Sequence, residues 1–401
     1  MGTVTVVGIG ADGWAGLPAA TRELVAGADV LLGGSRHLAM APEREGQARE
    51  RWPSPLLDRL PDLLEKYGSE RLVVLASGDP LVSGVASTLI SLIGPERVEV
   101  VPAVSSVALA HARMKWPSGS TDVVTLVGRD PSALTRWLSP RRRLVVLSSD
   151  GSTPGLIADL LTEAGYAPTA MTVLSDLGAS HESRHEGTAG SWEEYPSPAL
   201  NVVCLECECE DSSLVLSTVP GLPDNAFAND GQLTKRDIRA SALARLAPSP
   251  GELLWDVGAG AGSVGIEWMR SDPRCRAIAV ESDPERAARC AQNAGRLGVP
   301  ALRVVNGTAP QALLELPSPD AIFIGGGATV AGVVAACWDA LMPGGRLVVH
   351  GVTLETESLV VAGFGKHGGE LTRLSVERAD AIGGFTGWTP ARAVVQWSVT
   401  R

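Results

Sequence analysis

The chain has 401 residues, a formal net charge of −11, only 4% aromatic residues and 45 glycines. That length accommodates two or three domains, each with its own core. The acidic balance argues against a nucleic-acid partner, which needs clustered Lys and Arg on one face, and no apolar run approaches the ~18 residues of a membrane helix.

Met1-Gly2-Thr3-Val4 lacks a basic segment followed by a long apolar core, so a cytoplasmic protein off the membrane is expected. Six cysteines in so long a chain do not suggest a disulfide framework. Cys204, Cys207 and Cys209 lie close together, but no fourth ligand is nearby and a strand with small side chains is the simpler reading. Abundant Ala, Val, Leu and Gly with few aromatics indicate buried parallel strands alternating with helices. The fold class is α/β.

In chain order, Thr3 to Ile9 reads as a strand, followed by Gly8-Ile9-Gly10-Ala11-Asp12-Gly13. This matches G-x-G-x-x-G, and Asp29 lies about the right distance on for a ribose contact. The loop, however, continues through Trp14-Ala15-Gly16-Leu17 before Pro18 can open a helix, whereas a dinucleotide needs the helix to start at the glycines. Further strands are expected at 30–32, 72–75 and 98–101, with helices at 56–66, 82–93 and 104–113. Strand 72–75 leads into Gly78-Asp79-Pro80 and strand 98–101 into Pro102-Ala103-Val104-Ser105-Ser106. Both are small-residue loops at strand ends, where open α/β sheets bind ligands. Asp79 as a plain helix cap is the bland alternative.

Around Trp116-Pro117-Ser118-Gly119 the chain breaks and a second lobe begins. Its strands are expected at 123–127, 144–147, 170–174 and 202–206, with helices at 133–138 and 155–164. Arg141-Arg142-Arg143 reads as a solvated face. His181-Glu182-Ser183-Arg184-His185 fits H-E-x-x-H, but glycines bracket it and no helical periodicity surrounds it, so no metal is expected. The domain boundaries predicted are 1–211, in lobes of about 1–116 and 117–211, a polar, turn-rich linker at 212–230, and a last domain at 231–401.

The last domain is organised around Leu253-Leu254-Trp255-Asp256-Val257-Gly258-Ala259-Gly260-Ala261-Gly262-Ser263. An apolar run reads as a buried strand, alternate glycines let the backbone turn sharply, and helical spacing resumes after them. Free backbone N–H groups and a helix N-terminus would then surround a pocket for a nucleoside-bearing cofactor. Ser263 stands where a dinucleotide fingerprint wants its third glycine, and G-x-G-x-G is commoner in S-adenosylmethionine (SAM) methyltransferases. The strand at 276–280 ends in Glu281, whose carboxylate can accept both ribose hydroxyls, each charge-assisted bond contributing roughly 1.5–3 kcal/mol. Strands at 303–306, 321–324, 346–350, 371–376 and 394–399 follow, the last two joined without a helix. Strand 321–324 runs into Gly325-Gly326-Gly327 rather than the Asn/Asp-Pro-Pro-aromatic segment of amino-group methyltransferases, so N-methylation loses ground.

Here the motifs reach a known family. The first half, through Val7-Gly8-Ile9-Gly10, Gly78-Asp79-Pro80 and Pro102 to Ser106, resembles the tetrapyrrole methylases, a two-lobed fold that binds SAM between its lobes. The second half, through Leu233-Thr234-Lys235-Arg236-Asp237-Ile238-Arg239, the glycine loop, Asn306-Gly307-Thr308-Ala309-Pro310 and Gly325-Gly326-Gly327, resembles the decarboxylating precorrin methylases of cobalamin biosynthesis, with a Rossmann-like seven-stranded SAM methyltransferase domain. Both halves in this order resemble the precorrin-6Y C(5,15)-methyltransferase (decarboxylating) family.

The resemblance implies SAM-dependent methylation of precorrin-6Y at the C-5 and C-15 meso carbons, with decarboxylation of the ring C acetate, giving precorrin-8X. One SAM per half is implied, with C-15 methylation and decarboxylation in the second half and C-5 methylation in the first. The cofactor contacts implied are Gly8, Gly10, Gly78, Asp79, Pro80, Ser105 and Ser106 in the first half. In the second they are Thr234, Gly258, Ala259, Gly260, Ala261, Gly262, Glu281, Thr308 and Ala309. Ala11 and Ala103 depart from the family, which often has Pro and Gly there. Substrate carboxylates call for bidentate cations: Lys235, Arg236 and Arg239 before the glycine loop, with Lys235 and Arg239 on one helix face if the helix starts by Thr234, and Arg378 and Arg392 around the Gly383 to Gly387 loop. Gly325 and Gly326 would offer the substrate backbone and space. No side chain is singled out as catalytic, and a homo-oligomer is expected. A dehydrogenase fused to a methyltransferase and a non-catalytic SAM-sensing protein are the competing readings.

Overall fold

The computed structural model describes residues 2–193, 196–211 and 214–401. It divides into two compact units, Met1–Pro131 with Pro140–Ser213, and Ser132–Ser139 with Leu214–Arg401.

The first unit contains two five-stranded sheets. The first sheet holds β1 (Val4–Ile9), β2 (Val30–Gly33), β3 (Ala48–Arg51), β4 (Leu72–Ser77) and β5 (Val98–Val101) in the order β3-β2-β4-β1-β5, all parallel. Val6, Val30, Leu32 and Val74 are buried on one face and Val7, Leu31 and Leu75 on the other, as a sheet covered on both sides requires. The edge strand β3, Ala-Arg-Glu-Arg, carries no apolar pattern and was invisible to periodicity. The second sheet holds β6 (Asp122–Thr125), β7 (Arg143–Leu147), β8 (Ala170–Ser175), β9 (Ser183–Thr188) and β10 (Asn201–Glu206) in the order β6-β7-β10-β8-β9. Strand β9 carries His185 while His181 lies in the turn before it, so the H-E-x-x-H match is not helical. Cys204 on β10 and Cys207 just after it are buried, and burial pushes the Cys204 thiol up to about 12.

The second unit is built on β11 (Leu253–Val257), β12 (Arg276–Glu281), β13 (Arg303–Asn306), β14 (Ala321–Ile324), β15 (Arg346–Gly351) and β16 (Glu370–Leu374). They are followed by the hairpin β17 (Glu377–Ile382) with β18 (Phe385–Pro390), and by β19 (Val394–Thr400). The main sheet runs β13-β12-β11-β14-β15-β19-β16, with β19 antiparallel to both of its neighbours. The order reverses between β11 and β14, which places the loops after these strands at a topological switch point. The hairpin turns at Gly383-Gly384 and pairs only with itself.

Two boundaries differ from the sequence reading. The stretch expected as a linker, 212–230, sends Leu222, Ala226 and Phe227 into the core beside Trp268 and Leu243, while Ser212 and Ser213 lie outside the described residues. Ser132–Ser139, expected inside the first domain as part of a helix over 133–138, is a 3-10 turn grouped with the second unit, where Arg136 Nη2 donates to the Arg270 carbonyl at 2.9 Å. No helix among the described residues is long and apolar enough to cross a membrane.

Candidate functional site

In the first unit the loops after β1, β4 and β5 meet backbone to backbone. A Cβ on Gly8 would lie 2.0 Å from the Gly78 carbonyl and 2.7 Å from the Ala103 nitrogen. The Gly78 amide donates to the Ile9 carbonyl at 3.0 Å. The approach closes only because Gly8 has no side chain. Together with residues of the second sheet these loops line a cleft of about 320 Å³ that takes in Gly10, Gly78, Asp79, Ser105 and Ser106. Asp79 does not cap a helix: its Oδ1 accepts from the Leu81 amide at 2.9 Å, and the following helix, Val85–Ile93, starts after Gly84. Ser105 caps the helix Ser106–Met114 by accepting from the Ala108 amide at 3.1 Å. Pro80 is buried.

Asp29 rules against a dinucleotide in this unit. It precedes β2, at the end of the sheet away from the Gly8 loop, and both of its oxygens are held by Arg71. The Arg71 guanidinium pulls its carboxyl down to about 2. A ribose-binding carboxylate belongs at the opposite end of that strand.

In the second unit Gly258, Gly260 and Gly262 adopt positive φ of 70°, 56° and 77°, conformations open to glycine. A Cβ on Gly258 would lie 2.6 Å from the Gly326 carbonyl, and one on Gly262 would lie 2.3 Å from Cys290 Sγ. Four of the loop's amides are taken within the fold rather than free as the sequence reading expected. Those of Gly258 and Ala259 donate to the Val280 carbonyl, that of Gly262 donates to the Ala259 carbonyl, and that of Gly260 donates to Glu281 Oε2 at 2.8 Å. Its contribution is therefore close backbone approach and a fixed shape. Glu281, 6% exposed at the end of β12, also accepts from the Asp283 amide at 3.0 Å, so the ribose candidate is held rigidly beside the glycines. The loop carrying Thr308 and Ala309 is tied to the same strand end by Gly307 and Asn306, both donating to the Glu281 carbonyl at 2.9 Å.

Two residues at this site were not singled out by sequence. Asp256 is fully buried: its Oδ2 accepts from the Gly265 amide at 2.9 Å, while its Oδ1 has no partner. Burial pushes its carboxyl up to about 7, Glu281 adding to the effect. Asn293, buried in the helix Pro284–Arg296, donates to the carbonyls of Ala261 and Ala228 and accepts from the Ala228 amide. It ties the glycine loop to the segment leading to Thr234.

The basic candidates separate. Arg239 is fully buried, with Nε 2.6 Å from Glu267 Oε1, other donors on the carbonyls of Leu222 and Thr234, and its guanidinium 4.8 Å from the Phe227 ring centre. It clasps the unit together and has no face for a substrate, which corrects the expectation. Lys235 is the residue before the helix Arg236–Leu246, so it does not share a helical face with Arg239. Lys235, Arg236 and Arg392 are exposed. Arg378, on β17, pairs with Asp237 at 3.1 Å and lies 3.8 Å from Asp224. Gly325 and Gly326 follow β14 and pack against the Gly258 loop, with the Gly325 amide on the Val257 carbonyl at 3.0 Å.

Residues 3–192 match the family model for tetrapyrrole (corrin/porphyrin) methylases, and residues 225–401 match that for a precorrin methyltransferase domain. A precorrin-6Y C(5,15)-methyltransferase [decarboxylating] from a Sinorhizobium species is 43% identical over 99% of this chain and 96% of its own length. The chain belongs to the precorrin-6Y C(5,15)-methyltransferase (decarboxylating) family. A probable cobalt-precorrin-6B C(15)-methyltransferase (decarboxylating) of Pyrobaculum calidifontis is 36% identical over 44% of the chain and 93% of its own length. The C-terminal domain of the precorrin-6Y C5,15-methyltransferase of Rhodobacter capsulatus is 45% identical, covering 46% of this chain and all of that one, at a TM-score of 0.44.

Proposed function

We propose that this chain methylates precorrin-6Y at C-5 and C-15 and decarboxylates the ring C acetate, giving precorrin-8X, with SAM as the methyl donor in both units. The observation that carries the reading is the end-to-end similarity to a protein of that name, with both family models in the same order. A separate C(15)-methyltransferase (decarboxylating) that matches less than half of the chain supports a division of labour between the two units. We assign C-15 methylation and decarboxylation to the second unit, read as a Rossmann-like methyltransferase domain, and C-5 methylation to the first, two-lobed unit.

The residues fit such a cofactor. In the second unit, close backbone approach at Gly258 to Gly262, the rigid Glu281 carboxylate and the unpartnered Asp256 Oδ1 surround one strand end. Glu281 would accept the ribose hydroxyls, and the Thr308-Ala309 loop and Thr234 would flank the remainder. In the first unit Gly8, Gly10, the Gly78 to Pro80 loop, Ser105 and Ser106 would serve. SAM supplies an activated sulfonium methyl, and a meso carbon conjugated to pyrrolic nitrogen is already an electron-rich nucleophile. Orientation then contributes roughly 7–11 kcal/mol, against the roughly 10²–10⁴-fold of a general base. The chain's task is to align the two and exclude water, with Lys235 and Arg392 available to the substrate carboxylates, Arg378 reaching them by leaving Asp237, and Gly325-Gly326 giving room beside the cofactor.

Glu281→Ala tests the assignment. It should abolish the C-15 methyl and leave C-5 methylation running, as read by mass spectrometry of the tetrapyrrole products. Loss of the C-5 methyl alone would reverse the division of labour.

A further inference from the structure

Outside the loops expected to hold the cofactor, the first unit's cleft contains an Arg-His-Ser cluster. The helix Ser35–Met40 follows β2 and sets Arg36 and His37 against Ser77, the last residue of β4. Arg36 Nη2 lies 2.9 Å from Ser77 Oγ and 2.9 Å from His37 Nε2, and His37 Nε2 lies 2.9 Å from Ser77 Oγ. All three line the cleft that takes in Gly10, Gly78, Asp79, Ser105 and Ser106.

A guanidinium only donates, so the short contact to Arg36 makes His37 Nε2 an acceptor and keeps the ring neutral. Burial, with Arg36 adding to it, pushes His37 down to about 4, in keeping with that geometry. Both hydrogens of Nη2 are taken by this bracing, which leaves the edge formed by Nε and Nη1. No carboxylate lies within 4 Å of Arg36 among the described residues, and the Asp176 charge reaches it only from farther off. A braced arginine with a vacant bidentate edge is complementary to a carboxylate.

We propose that Arg36, held by His37 and Ser77, binds a carboxylate side chain of the tetrapyrrole in the first unit's cleft and so orients the ring for methylation at C-5. The inference rests on the reading that this unit methylates the tetrapyrrole. The donor's own methionyl carboxylate is the other source of the same chemistry, and the experiment separates the two.

Full-length Arg36→Ala and Arg36→Lys variants are assayed with precorrin-6Y and SAM. For Arg36→Ala the tetrapyrrole KM of the C-5 step should rise roughly 10–100-fold, with C-15-methylated, decarboxylated product accumulating and SAM affinity by calorimetry unchanged. Guanidinium ion added to the buffer should restore part of the rate, which a folding defect would not allow. Arg36→Lys, which keeps the charge but not the fork, should fall between wild type and alanine. An unchanged tetrapyrrole KM in Arg36→Ala would overturn the proposal, as would a SAM Kd that rises while the tetrapyrrole KM stays put. A wild-type enzyme that places no methyl on C-5 would instead overturn the reading on which it rests, and the proposal with it.

Discussion

Arg239→Met tests how the second unit is held together. Arg239 is fully buried and Glu267 is 2% exposed, and the substitution strands the Glu267 carboxylate in the interior with only the Gly221 and Leu222 amides, at 2.6 and 3.0 Å, as partners. It also releases the carbonyls of Leu222 and Thr234. Breaking a buried pair by removing one member costs about 3–5 kcal/mol. A unit of this size loses about 2–4 °C of Tm per kcal/mol, so its transition should drop by roughly 6–20 °C in calorimetry. Arg239→Met with Glu267→Gln removes the stranded charge and keeps one of the two oxygens that accept from the Gly221 and Leu222 amides, and should recover part of that loss. A single variant that melts within a degree or two of wild type would show that the clasp does not hold the segment from Gly221 to Thr234.

Gly258→Ala should abolish SAM binding in the second unit and C-15 methylation, because its Cβ would press to 2.6 Å from the Gly326 carbonyl at a φ of 70°; product mass spectrometry reads it. Gly8→Ala should do the same for C-5 methylation, with a Cβ 2.0 Å from the Gly78 carbonyl. Asp256, with its pKa raised to about 7 against 3.8, contributes stability that is fully present below about pH 4 and is lost as pH rises through 7. His350, with its pKa lowered by burial to about 4 against 6.5, acts oppositely: its contribution is present above pH 6.5 and is lost as pH falls toward 4. Denaturant titrations of Asp256→Asn from pH 4 to 8 should therefore show the variant gaining on wild type by up to ~4 kcal/mol as pH rises, and a pH-independent difference would contradict the assignment.

The central strands were legible because a strand covered on both faces must be a nearly continuous apolar run, as Leu253–Val257 and Ala321–Ile324 are. Loops at their ends were legible through glycine, since only its missing Cβ allows Gly8 against Gly78 and Gly258 against Gly326. The polar edge strand β3 and the hairpin β17–β18 were not, because β3 sets only Ala48 against a core and the hairpin faces none; Phe385 is 84% exposed and Trp388 is 71% exposed. Charge was least legible of all. Arg239 and Lys235 are four residues apart in one basic cluster, yet one is sealed in the core by a glutamate 28 positions on and the other is in solvent. Arg36 and Ser77 are 41 positions apart and meet only because β2 and β4 are neighbours in the sheet. Asp256 was read as the end of a buried strand, and the amide its Oδ2 accepts from belongs to a helix residue nine positions later.

The most direct measurement is high-resolution mass spectrometry of the tetrapyrrole recovered after the full-length chain acts on precorrin-6Y with methyl-labelled SAM. Two labelled methyl groups gained and one carbon dioxide lost is the result the account predicts. A product that carries a single label at completion, or that keeps every carboxylate, would contradict it.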